Sequence, residues 1–164
     1  MDLILWRHAQ AVMLEDEGQE CGEVAFDLVR DLARPLTPKG ERQAARMAEW
    51  LNQRLPDTTR VLVSPARRTQ QTAEALGRRF RTVDTLNPMA SVDDLLVAAR
   101  WPDAREPVLV VGHQPTLGLL AARLLTGQEQ PWSVHKGAVW WLRSRERDGQ
   151  QQVVLHAVVP PDLA

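Results

Sequence analysis

Leu3-Ile4-Leu5-Trp6-Arg7-His8 sets four consecutive apolar residues directly against a basic pair. So short and unbroken an apolar run reads as a strand buried on both faces, because a half-exposed strand would alternate. Two later stretches repeat the design. Val61-Leu62-Val63 runs into Ser64-Pro65-Ala66-Arg67-Arg68, and Val108-Leu109-Val110-Val111 runs into Gly112-His113. Helix signals separate the three. Thr37 as N-cap with Pro38 at the first helical position opens a helix whose apolar face is Ala44, Met47, Ala48, Leu51 and Leu55. Ser64-Pro65 repeats the cap-then-proline signal ahead of Thr69, Ala73, Leu76 and Phe80. Ser91-Val92-Asp93-Asp94 resembles a capping box, for a helix ending near Trp101-Pro102. A further helix runs through Leu117, Leu120, Ala121 and Leu124 to a C-cap at Gly127.

Val139 to Leu142 and Val153 to Val158 predict two strands joined by the polar 145–150 turn, whose Asp148-Gly149 favours a hairpin. Strand, helix, strand, helix, strand, helix is the grammar of a mostly parallel sheet with helices on both faces. The hairpin adds an antiparallel edge. The expected fold is α/β, a three-layer α/β/α sandwich in one domain spanning residues 1–164. Glu15 to Asp31 is acidic and poorly periodic, and reads as a surface loop with one helical turn around Val24 to Val29.

With 164 residues, 44% apolar and 25% charged, the chain can bury a core without disulfides or metals. A formal net charge of −1 offers no global field for nucleic acid or an anionic membrane, so any anion site must be local. The single cysteine, Cys21, reads as an incidental loop thiol in a reducing compartment. The N-terminal residues have no basic run and too short an apolar stretch for a signal peptide, and no segment approaches a membrane span. The expected location is the cytoplasm.

In open α/β sheets, ligands bind outside the carboxyl ends of the strands. Parallel pairing would bring Arg7-His8, the Ser64 to Arg68 turn and Gly112-His113 to one rim. Two histidines and several arginines there suit phosphoryl transfer to a histidine. A neutral imidazole is a competent nucleophile near neutral pH, and guanidinium groups bind oxyanions through paired hydrogen bonds. With arginines supplying the charge no metal is required, and no convincing carboxylate–histidine ligand cluster is present. No cofactor is expected.

Leu5-Trp6-Arg7-His8-Ala9 resembles the Arg-His-Gly/Ala signature of the histidine phosphatase superfamily, which includes the phosphoglycerate mutases. Ser64-Pro65-Ala66-Arg67-Arg68-Thr69-Gln70-Gln71-Thr72 resembles its Ser-Pro-x-x-Arg-x-x-x-Thr segment, and Val111-Gly112-His113 its second histidine motif. Ala9, the Arg34-Pro35-Leu36-Thr37 segment and the short chain look like the SixA-type phosphohistidine phosphatases. The resemblance implies a phosphoglycerate mutase-like fold, with His8 as the nucleophile. Arg7, Arg34 and Arg68 become phosphate clamps, and His113 the second imidazole on the phosphoryl oxygens. Arg68 fits the family spacing, and Arg67 would point about a hundred degrees away on a helix.

Many superfamily members carry an acidic residue after the third strand to protonate an alcohol leaving group. Here Thr85-Leu86-Asn87-Pro88-Met89 has no carboxylate. A missing general acid slows ester hydrolysis by roughly 10²–10⁴, whereas a phosphorylated imidazole departs as a far less basic nitrogen. The resemblance therefore implies a phosphohistidine-bearing partner protein, such as a histidine-phosphotransfer domain, with the chain itself a monomer. Competing readings are a small-molecule phosphomonoesterase, with Asp93 or Asp94 folding back as the acid, and a phosphate-binding module without turnover. Ser64 reads first as an N-cap, with its hydroxyl facing the phosphate as the alternative. His135-Lys136 would lie near the rim, His156 is structural, and Trp101 and Trp132 are candidates for an apolar docking patch.

Overall fold

The computed structural model describes residues 1–14 and 27–164, and its six strands form one sheet in the order β3-β2-β4-β1-β5-β6. In chain order the strands are β1 (Asp2–Arg7), β2 (Arg60–Val63), β3 (Arg81–Thr82), β4 (Val108–Gly112), β5 (Val139–Arg147) and β6 (Gln150–Val159). The helices are α1 (Leu28–Leu32), α2 (Pro38–Asn52), α3 (Arg67–Glu74), α4 (Val92–Ala99) and α5 (Thr116–Thr126). Strands β3, β2, β4 and β1 pair in parallel, and β5 and β6 are antiparallel. The expected α/β fold with its antiparallel edge is the one observed.

The apolar runs are continuous because the sheet is covered on both sides. Leu3 and Leu5 of β1, with Val108 and Val110 of β4, face the core shared with α4 and α5. Ile4 and Trp6, with Leu109 and Val111, face the opposite core, filled by Met47 and Leu51 of α2 and Ala73 of α3. Each strand thus sends alternate residues into two hydrophobic layers. Substituting a polar residue at any of these central positions would place it against a fully apolar layer.

Local signals are realised where they depend only on neighbouring residues. The Thr37 hydroxyl accepts from the Gly40 amide at 3.0 Å, with Pro38 opening α2. Ser91 and Asp94 make a reciprocal capping box on α4. Gly127 ends α5 at φ 86°, a conformation glycine adopts without steric cost. Asp148 and Gly149, both at positive φ, turn the hairpin, and β5 and β6 run right up to them.

Helix α2 stops at Asn52 and α3 at Glu74, so Leu55, Leu76 and Phe80 lie beyond the helices expected to carry them, although they still pack in the core. Two further expectations change. Helix α3 begins at Arg67 with Ala66 at its N-cap, so Ser64 does not hold the cap position assigned to it. Its hydroxyl accepts the Ala66 amide at 3.3 Å and has another partner in the site. Much of the acidic 15–31 stretch, including Cys21, lies outside the described residues. Of its described end, Asp27 to Arg30 are exposed as expected and open α1, capped by Asp27, whereas Asp31 is buried at 5% exposure. Among the described residues no helix is long and apolar enough to cross a membrane.

Candidate active site

The register of the sheet fixes the site. Trp6 and Val63 both lie opposite Val111 of the central strand β4. Strand β2 ends at that level, and β1 and β4 end one residue later with Arg7 opposite Gly112, so the chain leaves three adjacent strands within one residue of each other. The Ser64 amide donates to Val111 O and the His8 amide to Gly112 O, so Ser64, His113 and His8 stand side by side at the carboxyl rim. All three are buried, with His8 at 6% and His113 at 4% exposure. The imidazole centroids are 5.4 Å apart.

Hydrogen bonds settle both tautomers. His8 Nδ1 lies 2.7 Å from Ala9 O, and a carbonyl only accepts, so Nδ1 carries the proton and Nε2 keeps its lone pair. Arg68 Nη2 donates to His113 Nδ1 at 3.4 Å, which leaves the His113 proton on Nε2. That Nε2–H donates to the Ser64 hydroxyl at 2.7 Å. Burial, reinforced by the nearby Arg68, Arg7 and Arg34 charges, pushes His8 down to about 3 against the opposing effect of its bond to Ala9. Burial, followed by His8 and the same arginines, takes His113 to about 2. Both rings are therefore neutral near pH 7, and His8 Nε2 can act as a nucleophile.

The three candidate clamp arginines reach the site differently. Arg68, on the first turn of α3, is 3% exposed, while its neighbour Arg67 points to solvent. Arg7 ends β1 and donates from Nη1 to Val134 O at 2.9 Å. Its buried Nε has no hydrogen-bond partner among the described residues, a donor that a bound oxyanion could satisfy. Burial and the neighbouring Arg68 charge lower its pKa from the ordinary guanidinium value. Arg34 gives Nη1 to Val12 O at 3.1 Å and turns its Nε and Nη2 edge onto Asp31.

Asp31 is the residue that sequence reasoning missed. Its Oδ1 accepts from Arg34, and its Oδ2 accepts from Arg68 Nη2 at 3.1 Å. The available signal was the i,i+3 spacing of Asp31 and Arg34, one helical turn apart. Thr72, which closes the Ser64 motif, had been given no role, and Gln43 was passed over. Thr72 Oγ1 accepts from the Ala9 amide and donates to Arg68 O, tying the His8 loop to the Arg68 turn. Gln43 Oε1 receives the Gln10 amide from α2.

The other candidates make no hydrogen bond to either imidazole among the described residues. Asp93 pairs with Arg123 at 2.8 Å on the surface, and the Asp94 side chain is spent on the Ser91 amide. His135 and Lys136 are exposed, on the turn whose Gly137 amide donates to Arg7 O and His8 O, which puts them near the rim as expected. His156 packs edge-on to Trp141, with centroids 5.2 Å apart. Trp132 is half-buried against Trp140, and Trp101 packs on the α4–α5 core. Among the described residues no group of three or more His, Cys, Asp or Glu side chains could hold a metal ion.

Comparison with known proteins adds the family. The model of the histidine phosphatase superfamily (branch 1) matches residues 3–95, which include His8, Arg34 and Arg68. Phosphohistidine phosphatase SixA of Escherichia coli (strain K12) is 32% identical over 118 residues, spanning 67% of this chain and 73% of its own. A solved structure of the protein histidine phosphatase SixA complexed with tungstate is 28% identical. It covers 99% of this chain and 98% of its own, with a TM-score of 0.71. A candidate SixA phosphohistidine phosphatase from Nakamurella multipartitia is 31% identical, covers 97% and 95%, and has a TM-score of 0.72. The rim of two neutral imidazoles and three guanidiniums thus sits on a known scaffold, and the chain belongs to the histidine phosphatase superfamily, branch 1, as a phosphatase of the SixA type.

Proposed function

We propose that this phosphatase removes the phosphoryl group from a phosphohistidine on a signalling protein, through a covalent phospho-His8 intermediate and without a metal. The observation that carries the reading is the contrast between His8, neutral with Nε2 unprotonated, and the carboxylates around it. Among the described residues Asp93 and Asp94 are engaged elsewhere, and both Asp31 oxygens accept from arginine N–H groups in ion pairs. None is placed to protonate an alcohol leaving group. A phosphorylated imidazole needs no such acid.

Each step balances. His8 Nε2 forms a bond to phosphorus as the phosphorus–nitrogen bond of the substrate breaks, and that electron pair stays on the substrate imidazole. Because Nδ1–H stays on Ala9 O, phospho-His8 is a protonated ring with a good leaving group. Water then attacks phosphorus, loses its proton to bulk solvent, and releases His8 as the neutral imidazole. The charge on the transferring oxygens meets Arg7, Arg68, Arg34 and His113, so the protein supplies positioning and electrostatic stabilisation. The fitting partner is a histidine-phosphotransfer domain in the cytoplasm, met by a monomer of this chain.

The test mixes wild type and His8→Ala with a phosphotransfer domain radiolabelled on histidine. Release of inorganic phosphate by wild type alone is expected. Absence of release with folded wild type would leave turnover of small phosphomonoesters, and failing that binding alone, as the remaining readings.

A further inference from the structure

We propose that Asp31 is the positioning residue of the guanidinium clamp, holding Arg34 and Arg68 as one unit and aiming Arg68 at His113. The inference rests on the reading of the His8–His113 rim as the phosphoryl site. Asp31 Oδ1 takes Arg34 Nε at 3.1 Å and Nη2 at 3.0 Å. Asp31 Oδ2 takes Arg68 Nη2 at 3.1 Å, and the Asp31 backbone carbonyl takes Arg68 Nη1 at 2.8 Å. One residue therefore receives both arginine heads, and Arg68 Nη2 goes on to His113 Nδ1.

The arrangement has three physical consequences. Two long side chains that would otherwise sample many rotamers are held in one geometry before substrate arrives, which is the condition for electrostatic preorganisation. Like-charged guanidiniums are kept together in a buried place by a carboxylate that is itself 5% exposed. The local formal charge of Arg7, Arg34, Arg68 and Asp31 becomes +2, matching a phosphoryl dianion. Asp31 acts through the arginines: the direct partners of the imidazoles are Ala9, Ser64 and Arg68.

The rival role is an internal substitute for phosphate, expelled when substrate binds. The backbone carbonyl argues against it, since Arg68 would stay tethered to residue 31 even with the carboxylate withdrawn. The two roles predict opposite signs.

The test measures kcat on an aryl phosphate, whose leaving group needs no general acid, so failure of the phosphohistidine reading leaves it standing. The proteins are wild type, Asp31→Asn, Asp31→Glu, Arg68→Gln and the Asp31→Asn/Arg68→Gln pair, each checked by thermal melting. Asp31→Asn and Asp31→Glu should both lower kcat at least tenfold. The double variant should lose less than the product of the two single losses, because Asp31 works in part through Arg68 and in part through Arg34. Asp31→Glu keeps the charge and lengthens the arm, so it reports geometry even if the Asn variant folds poorly. Faster turnover in Asp31→Asn, additive losses in the double variant, or lower melting temperatures with kcat unchanged in both single variants would each overturn the proposal.

Discussion

Acidification should destabilise the whole fold through the site, because two buried histidines are kept neutral in the folded state. His8 is held at about 3 and His113 at about 2, both chiefly by burial. In the unfolded chain both return to about 6.5. The sign follows. Below about pH 6.5 the unfolded chain binds more protons than the native one, so stability is full above that value and drains as pH falls toward 3. Each histidine costs about 1.4 kcal/mol per pH unit well inside the window. Between pH 6.5 and 4.5 the pair together costs on the order of 4–5 kcal/mol, a large share of the roughly 5–15 kcal/mol that holds a domain together. Urea unfolding at the two pH values, for wild type and the His8→Asn/His113→Asn variant, isolates this contribution because the carboxylates are common to both chains. Wild type should lose several kcal/mol more than the variant over the interval. Equal losses would refute the account of two desolvated, neutral imidazoles.

Two substitutions probe the supports of the site. Ser64→Ala removes the acceptor 2.7 Å from His113 Nε2; it should cost roughly 1–3 kcal/mol in urea unfolding and lower kcat about tenfold, and an unchanged kcat would mean that His113 needs no orienting partner. At Gly40, an added Cβ would collide with the Gln10 carbonyl. Gly40→Ala should therefore destabilise the fold by roughly 1–3 kcal/mol and displace the segment following His8, read as lower kcat with a lower melting temperature.

How much was legible in the sequence depends on how far each signal reaches. Strands β1, β2 and β4 and the caps at Thr37, Ser91 and Gly127 were readable because their causes lie within a few residues. The rim was readable for a related reason: parallel strands end together, so residues just past three apolar runs had to meet. Ser64 was misassigned because its hydroxyl could serve a helix locally or His113 from another strand, and only the sheet register decides between them. Asp31 was hidden more deeply. In sequence it closes an acidic, poorly periodic stretch, and its burial depends on meeting Arg68, thirty-seven residues away in the chain.

The central claim is that His8 carries the phosphoryl group. The direct measurement is rapid mixing with a phosphohistidine-bearing phosphotransfer domain, an alkaline quench that preserves phosphorus–nitrogen bonds, and mass mapping of the enzyme peptides. The account predicts a transient phosphorylated peptide containing His8, absent from His8→Ala. Phosphate release at an undiminished rate from His8→Ala, or a phosphoryl group on another residue of the wild type, would contradict it.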